Sequence, residues 1–161
     1  MKIGRITISD RASAGIYADL SGPEIEKVLS EFFGDGIKFE SVIVPDEVAL
    51  ITATLKRFAD ELKCDLVVTT GGTGIAARDV TPEATRPVLE KELPGFGEIM
   101  RMQSFAIVKT AILSRALAGT RGSSLIINLP GKPGAIRECL AVLAPAIREG
   151  AAHLRGEDVH K

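Results

Sequence analysis

The run Asp65-Leu66-Val67-Val68-Thr69-Thr70 constrains this chain more than any other segment. It is almost continuously apolar, so a strand built from it must be covered on both faces, as strands are inside a parallel sheet. Parallel neighbours cannot be joined by hairpins and need long crossovers, normally helices. The preceding sequence is patterned for that. Ile3 to Ser9 is a β-rich run ending in the polar stretch Asp10 to Gly15, which predicts a strand entering a loop. Ser21-Gly22-Pro23-Glu24 has capping-box spacing, and Ile25, Val28, Leu29 and Phe32 follow at helical intervals. Gly34 and Gly36 end that helix, Phe39 to Val44 predicts a second strand, and Ile51, Leu55, Phe58 and Leu62 predict a second helix.

After the apolar run, Thr81-Pro82-Glu83 offers an N-cap, a first-turn proline and an acidic residue, predicting a third helix to about Leu93 before a break at Pro94-Gly95. From about Gly97 to Leu117 the pattern is helical, but Ile99, Met100, Met102, Phe105, Val108 and Ile112 cannot share one stripe. That helix is expected to meet a second partner such as another subunit. Ser124 to Leu129 predicts the last strand, and Pro130-Gly131-Lys132-Pro133 opens a final helix from about Gly134 to Leu154, bent at Pro145. Strands alternating with helices over 161 residues predict one domain, residues 1–161, with a parallel α/β sandwich and right-handed crossovers.

Composition removes several chemistries. Lys and Arg (20) nearly balance Asp and Glu (21), so no global field attracts nucleic acid or an anionic membrane. His153 and His160 are the only histidines and sit within the last nine residues, which leaves no donor for a Ser-His-Asp triad, a Cys-His pair or an HExxH zinc site. Cys64 and Cys139 are far apart and read as small buried hydrophobes. The N-terminal MKIGRITISD has no long apolar core, so neither a signal peptide nor a membrane anchor is expected, and a cytoplasmic location follows.

Ligands of open α/β sheets bind outside the carboxyl ends of the strands. The unusual residues fall there: Ser9-Asp10-Arg11, Asp46, Gly71 to Asp79, and Asn128 to Pro133. Gly71-Gly72-Thr73-Gly74 can bring backbone N–H groups to a phosphate, with the hydroxyls of Thr69, Thr70 and Thr73 nearby; a tight turn out of a crowded strand is the competing reading. Gly72-x-Gly74-x-x-Ala77 is no dinucleotide fingerprint, because the next twenty positions hold Pro82, Pro87, Pro94 and Gly95 in place of a helix and strand. Gly131-Lys132 is followed by proline, so it is no Walker A motif. Asp46 and Asp79 can face one rim and suit Mg²⁺, which takes one or two carboxylates plus substrate phosphates. Asp46 after Pro45 also fits a cap of the second helix, whereas Thr81 already supplies the cap beside Asp79. Asp10 with Arg11, and Glu98 with Arg101, have the spacing of ordinary surface pairs.

Taken together, Ile8-Ser9-Asp10-Arg11, Pro45-Asp46-Glu47, Thr69 to Gly74, Arg78-Asp79-Val80-Thr81-Pro82-Glu83-Ala84, Pro94 to Glu98, Leu113-Ser114-Arg115 and Asn128-Leu129-Pro130-Gly131-x-Pro133 resemble the MogA/MoaB family of molybdenum cofactor biosynthesis. The similarity spans nearly the whole chain, and the Thr-Thr-Gly-Gly-Thr-Gly and Arg-Asp-Val-Thr-Pro-Glu runs are closest to the adenylyltransferase branch. The resemblance implies a three-layer α/β/α sandwich with a mostly parallel sheet, a homotrimer, and transfer of AMP from Mg-ATP to the terminal phosphate of molybdopterin with release of pyrophosphate. It implies Asp46 and Asp79 as the acidic pair needed for activity, acting through Mg²⁺, and the loop Gly71, Gly72, Thr73 and Gly74 as the holder of phosphate or ribose. Pro130 and Gly131 would flank adenine, Ser114 and Glu98 would add contacts, and Ser9 and Asp10 complete the ATP and molybdopterin rim. A MoeA-type molybdate insertion protein would take the product. The family also implies rivals: a MoaB-type molybdopterin carrier or scaffold, and a nucleotide pyrophosphatase.

Overall fold

The chain runs β1 (Lys2–Ile8), α1 (Asp10–Ser13), α2 (Ser21–Phe33), β2 (Lys38–Val44), α3 (Val48–Lys56), β3 (Leu66–Thr70), α4 (Thr81–Thr85), β4 (Lys91–Glu92), α5 (Pro94–Ile107), β5 (Ala118–Arg121), β6 (Ser124–Leu129) and α6 (Pro133–Leu154) in a computed structural model that describes residues 1–157. His160 lies outside the described residues. The six strands form one sheet in the order β2-β1-β3-β6-β5-β4. β2, β1, β3 and β6 are parallel, while β5 and β4 are added antiparallel at one edge.

The apolar run behaves as its pattern demands. Leu66 and Val68 join a core with α2, α5 and α6, which includes Ile25, Leu29, Ile136, Leu140 and Ile147. Val67 points into a second core with α3 and α4, which includes Ile51, Leu55, Phe58 and Ala84. The same split recurs in β6, where Leu125 and Ile127 face the first core and Ile126 the second. One sheet between two helical layers is the three-layer α/β/α sandwich. No helix among the described residues is long and apolar enough to cross a membrane.

Several local expectations are corrected. Ser21 does not cap α2: Leu20 occupies that position, Asp19 Oδ1 accepts the Gly22 N–H at 2.9 Å, and Ser21 Oγ donates to the Gly131 carbonyl at 2.5 Å. Asp10 to Ser13 is a short helix, capped by Ser9, whose hydroxyl accepts from Ala12 N. The third helix does not reach Leu93. Pro87 lacks the N–H that an α-helix needs, and after Thr85 the chain tightens to a 3₁₀ turn over Arg86–Val88 and then pairs as β4. Thr81 is not a side-chain cap; its hydroxyl donates to the Gly71 carbonyl at 2.9 Å. Pro94 starts α5 instead of breaking a helix, because a first-turn proline has no partner to lose. α5 ends at Ile107, a 3₁₀ turn covers Lys109–Leu113 in place of the expected continuation to Leu117, and β5, which the pattern does not announce, follows at Ala118.

Candidate active site

The four parallel strands end level with one another: Ile8 lies beside Val44, Thr7 beside Thr70, and Thr70 beside Leu129. The loops leaving them therefore meet. At the end of β1 and β2, Asp10 N donates to Asp46 Oδ2 at 2.8 Å, and Asp46 N donates to Asp10 Oδ1 at 3.0 Å. This reciprocal pair fixes both carboxylates to the rim. Asp46 is not a helix cap, since Glu47 holds that position without a side-chain bond. Arg78 then closes its fork on Asp10, with Nε to Oδ2 at 2.9 Å and Nη2 to Oδ1 at 2.8 Å. Asp10 thus pairs with Arg78 and not with Arg11, which lies over the Tyr17 ring.

The two carboxylates respond in opposite directions. The Arg78 hydrogen bonds, helped by the Asp46 N–H, hold Asp10 below the usual carboxylate range. Burial pushes Asp46 up, and the charges of Asp10 and Asp79 add to the rise against the opposing pull of its hydrogen bond and of Arg78.

β3 ends where Gly71 and Gly72 adopt φ of +97° and +64°, the left-handed region that side chains disfavour. Space demands glycine as well: a Cβ on Gly71 would lie 2.3 Å from the Ile8 carbonyl oxygen, and one on Gly72 would lie 2.4 Å from Thr81 Oγ1 and 3.0 Å from Asp46 Oδ1. The backbone thus passes directly against the Asp46 carboxylate. At the other end of the loop, a Cβ on Gly74 would approach Asp79 Oδ2 to 2.7 Å, and that oxygen accepts the Ala76 N–H at 2.9 Å. Asp46 and Asp79 therefore flank one glycine loop. Thr69 and Thr70 are buried and taken up internally, Thr70 Oγ1 donating to the Pro130 carbonyl and Thr69 Oγ1 accepting from Asn128. Asn128, expected on the rim, is buried behind it.

Cavities adjoin the loop on two sides. One of about 190 Å³ is bordered by Ser9, Tyr17, Leu20, Ser21, Gly71 and Gly131. A second of about 330 Å³ is bordered by Thr73, Gly74, Ser114, Pro130, Gly131 and Lys132. Gly131 belongs to both, so the strip after β6 is their shared lip. Glu98 is not brought to this strip; it borders a separate depression of about 620 Å³, with Arg101 and Ser114 common to that space and to the second cavity. Arg101 donates to the Ala116 carbonyl at 3.1 Å instead of pairing with Glu98.

Arg115 is the site residue that individual spacing arguments miss. It binds the loop repeatedly: its N–H to Thr73 O at 2.8 Å, Nε to Gly74 O at 2.8 Å and Nη2 to Asp79 O at 2.7 Å, while Nη1 meets Glu83. Its signal in the sequence is the triplet Leu113-Ser114-Arg115. Among the described residues no group of three or more His, Cys, Asp or Glu forms a preformed metal cage. Asp46 Oδ1 faces the loop while Oδ2 is the oxygen bonded to Asp10 N, and a two-carboxylate donor set is what Mg²⁺ carried by a nucleotide accepts.

A profile described as a probable molybdopterin binding domain matches residues 4–149, and the chain belongs to that family. It is 60% identical over 145 residues to a molybdopterin adenylyltransferase of Helicobacter pylori, covering 90% of this chain and 82% of the relative. It is 49% identical over 140 residues to the Escherichia coli protein of the same name, covering 87% and 72%. Among solved structures, the molybdopterin biosynthesis enzyme MoaB of Thermus thermophilus superposes with a TM-score of 0.88 at 39% identity over 97% of each chain.

Proposed function

We propose that the protein is a molybdopterin adenylyltransferase, a nucleotidyltransferase of molybdenum cofactor biosynthesis that moves AMP from ATP to the terminal phosphate of molybdopterin and releases pyrophosphate. The observation that carries this reading is the pairing of Asp46 and Asp79 around the Gly71 to Gly74 loop in a chain 60% identical to a protein of that name. The attacking phosphate oxygen is already anionic, so no histidine or other general base is needed, and positioning with charge neutralisation suffices. Asp46 and Asp79 would hold a magnesium ion on the nucleotide, which when bound neutralises charge on the phosphates. The Gly71, Gly72, Thr73 and Gly74 backbone holds phosphate, Pro130 and Gly131 flank the adenine, Ser9 and Asp10 shape the opposite wall, and Ser114 adds a contact where the second cavity meets the depression bordered by Glu98, which is left for the part of a substrate that extends there.

The protein acts as one domain in the cytoplasm and assembles as a homotrimer, a reading supported by the exposed Met102, Phe105, Ile107, Val108, Ile112 and Leu113 on α5 and the turn after it. Its product would pass to a MoeA-type molybdate insertion protein. The test is direct: purified protein, Mg-ATP and metal-free molybdopterin, with adenylylated molybdopterin measured alongside Asp46→Asn and Asp79→Asn. Product from the wild type that disappears in both variants supports the enzyme and its acidic pair. Bound pterin without product would make it a carrier or scaffold, and ATP loss without pterin a pyrophosphatase.

A further inference from the structure

A trans peptide turns its carbonyl and the following N–H in opposite directions. Arg115 therefore sets more than the three carbonyl oxygens it bonds. By drawing the Thr73 and Gly74 carbonyls toward itself, it turns the Gly74 and Ile75 N–H groups away. Neither of those two N–H groups has a hydrogen-bond partner among the described residues, although the neighbouring Ala76 N–H is held by Asp79. Gly74 also borders the 330 Å³ cavity, whereas Arg115 borders the 620 Å³ depression on the other side of the Ser114 segment. Two free amides one residue apart, the carbonyl of one peptide pinned by the Arg115 main-chain N–H and that of the other by its guanidinium, form an anion cradle fixed from behind.

We propose that Arg115 is a positioning residue, which presents the Gly74 and Ile75 amides to a phosphate of the bound nucleotide and holds the Asp79 backbone in register with them. This rests on the adenylyltransferase reading and adds to it a residue that touches no substrate. The fork is the essential feature. Lysine keeps the charge but cannot donate in one plane to Gly74 O, Asp79 O and Glu83 together. A displaced loop misaligns the reacting phosphates, and misplacements of about an ångström can cost on the order of 100-fold in rate.

The experiment uses the full chain with Arg115→Lys and Arg115→Ala. Both are expected to lose about 100-fold in kcat for adenylyl transfer, with KM for Mg-ATP moving far less, and added ethylguanidinium to restore part of the rate to Arg115→Ala but none to Arg115→Lys. A second readout needs no turnover. In the wild type, titration with inorganic pyrophosphate shifts the Gly74 and Ile75 amide resonances; in Arg115→Ala the Ile75 shift is lost, while the Gly74 peptide keeps the main-chain bond from residue 115 to the Thr73 carbonyl. A kcat for Arg115→Lys near that of the wild type overturns the proposal, as does a pyrophosphate shift of the Ile75 amide that persists in Arg115→Ala. If the wild type itself forms no adenylylated pterin, the functional reading fails by that result alone, and the pyrophosphate titration still decides the role of Arg115.

Discussion

Two clusters of one arginine and two carboxylates adjoin β1, and they are built to different ends. Inside, Arg5 donates Nε and Nη2 to Glu26 Oε1 at 3.0 and 2.9 Å and Nη1 to Asp19 Oδ2 at 3.0 Å. Thr7 and Ser41 hydroxyls and the Gly22 N–H supply those carboxylates with further donors. At the rim, Arg78 gives its fork wholly to Asp10, and Asp46 is left facing Asp10 and Asp79 with no cation bonded to it among the described residues. The first cluster is closed, in that both carboxylates bond its arginine, and it buttresses the segment leading into α2. The second keeps negative charge uncompensated beside a glycine loop, which is the condition for taking up a magnesium-neutralised phosphate.

The largest expected effects separate the two. Arg5→Met strips the cation from a nearly buried pair and should cost about 3–5 kcal/mol of stability, read as a lowered urea midpoint. Turnover per folded molecule should be retained. Asp46→Asn should do the reverse, lowering turnover by about 100- to 1,000-fold while the urea midpoint holds or rises. If Asp46→Asn destabilises the protein as much as Arg5→Met does, the contrast between a closed and an open cluster is wrong.

The closed cluster was hard to read because its partners are distant: Arg5, Asp19 and Glu26 carry no local spacing signal, and Ser21 and Glu24 offered a false cap nearby. The open one is easier, since Asp46 follows a strand end and Pro45, and Asp79 lies in the loop that the Gly71 to Gly74 run opens. The same physics explains the fold. β1, β2, β3 and β6 are apolar enough to declare themselves, whereas β4 and β5 are short antiparallel strands at one side of the sheet whose pairing comes from tertiary contact and not from propensity. Arg115 was visible as one member of a triplet, but its hold on three separate carbonyls required the loop in three dimensions.

Acidity sharpens the comparison with a smaller effect. Asp46 has its folded pKa raised from 3.8 by burial, so its ionisation penalises the folded state. That penalty is absent below the unfolded value, develops as pH rises toward the folded value, and is complete above it. The stabilisation of Asp46→Asn relative to the wild type should therefore grow from about pH 4 upward and then level off, measured as the difference in urea midpoints. Asp10 has the opposite sign: held low mainly by Arg78, its contribution is present above 3.8 and is lost as pH falls through the depressed folded value. A midpoint difference for Asp46→Asn that does not change with pH would remove burial as the cause of its shift.

The smallest effect on stability belongs to Arg78→Gln. Arg78 and Asp10 are both open to water, with side-chain exposures of 62% and 41%, so salt and solvent can replace the pair and the urea midpoint should not move in about 0.15 M salt. The site should nevertheless sense the change. Arg78 exerts a lowering pull on Asp46, and removing it leaves burial and two like charges without that opposition, so Asp46 moves further up. Because the proposed magnesium contact requires the ionised carboxylate, the acid limb of the turnover profile should shift to higher pH in Arg78→Gln while stability stays put. An acid limb that stays in place would mean that Arg78 and Asp46 are uncoupled, and that the open cluster is two independent sites sharing only the Asp10 backbone.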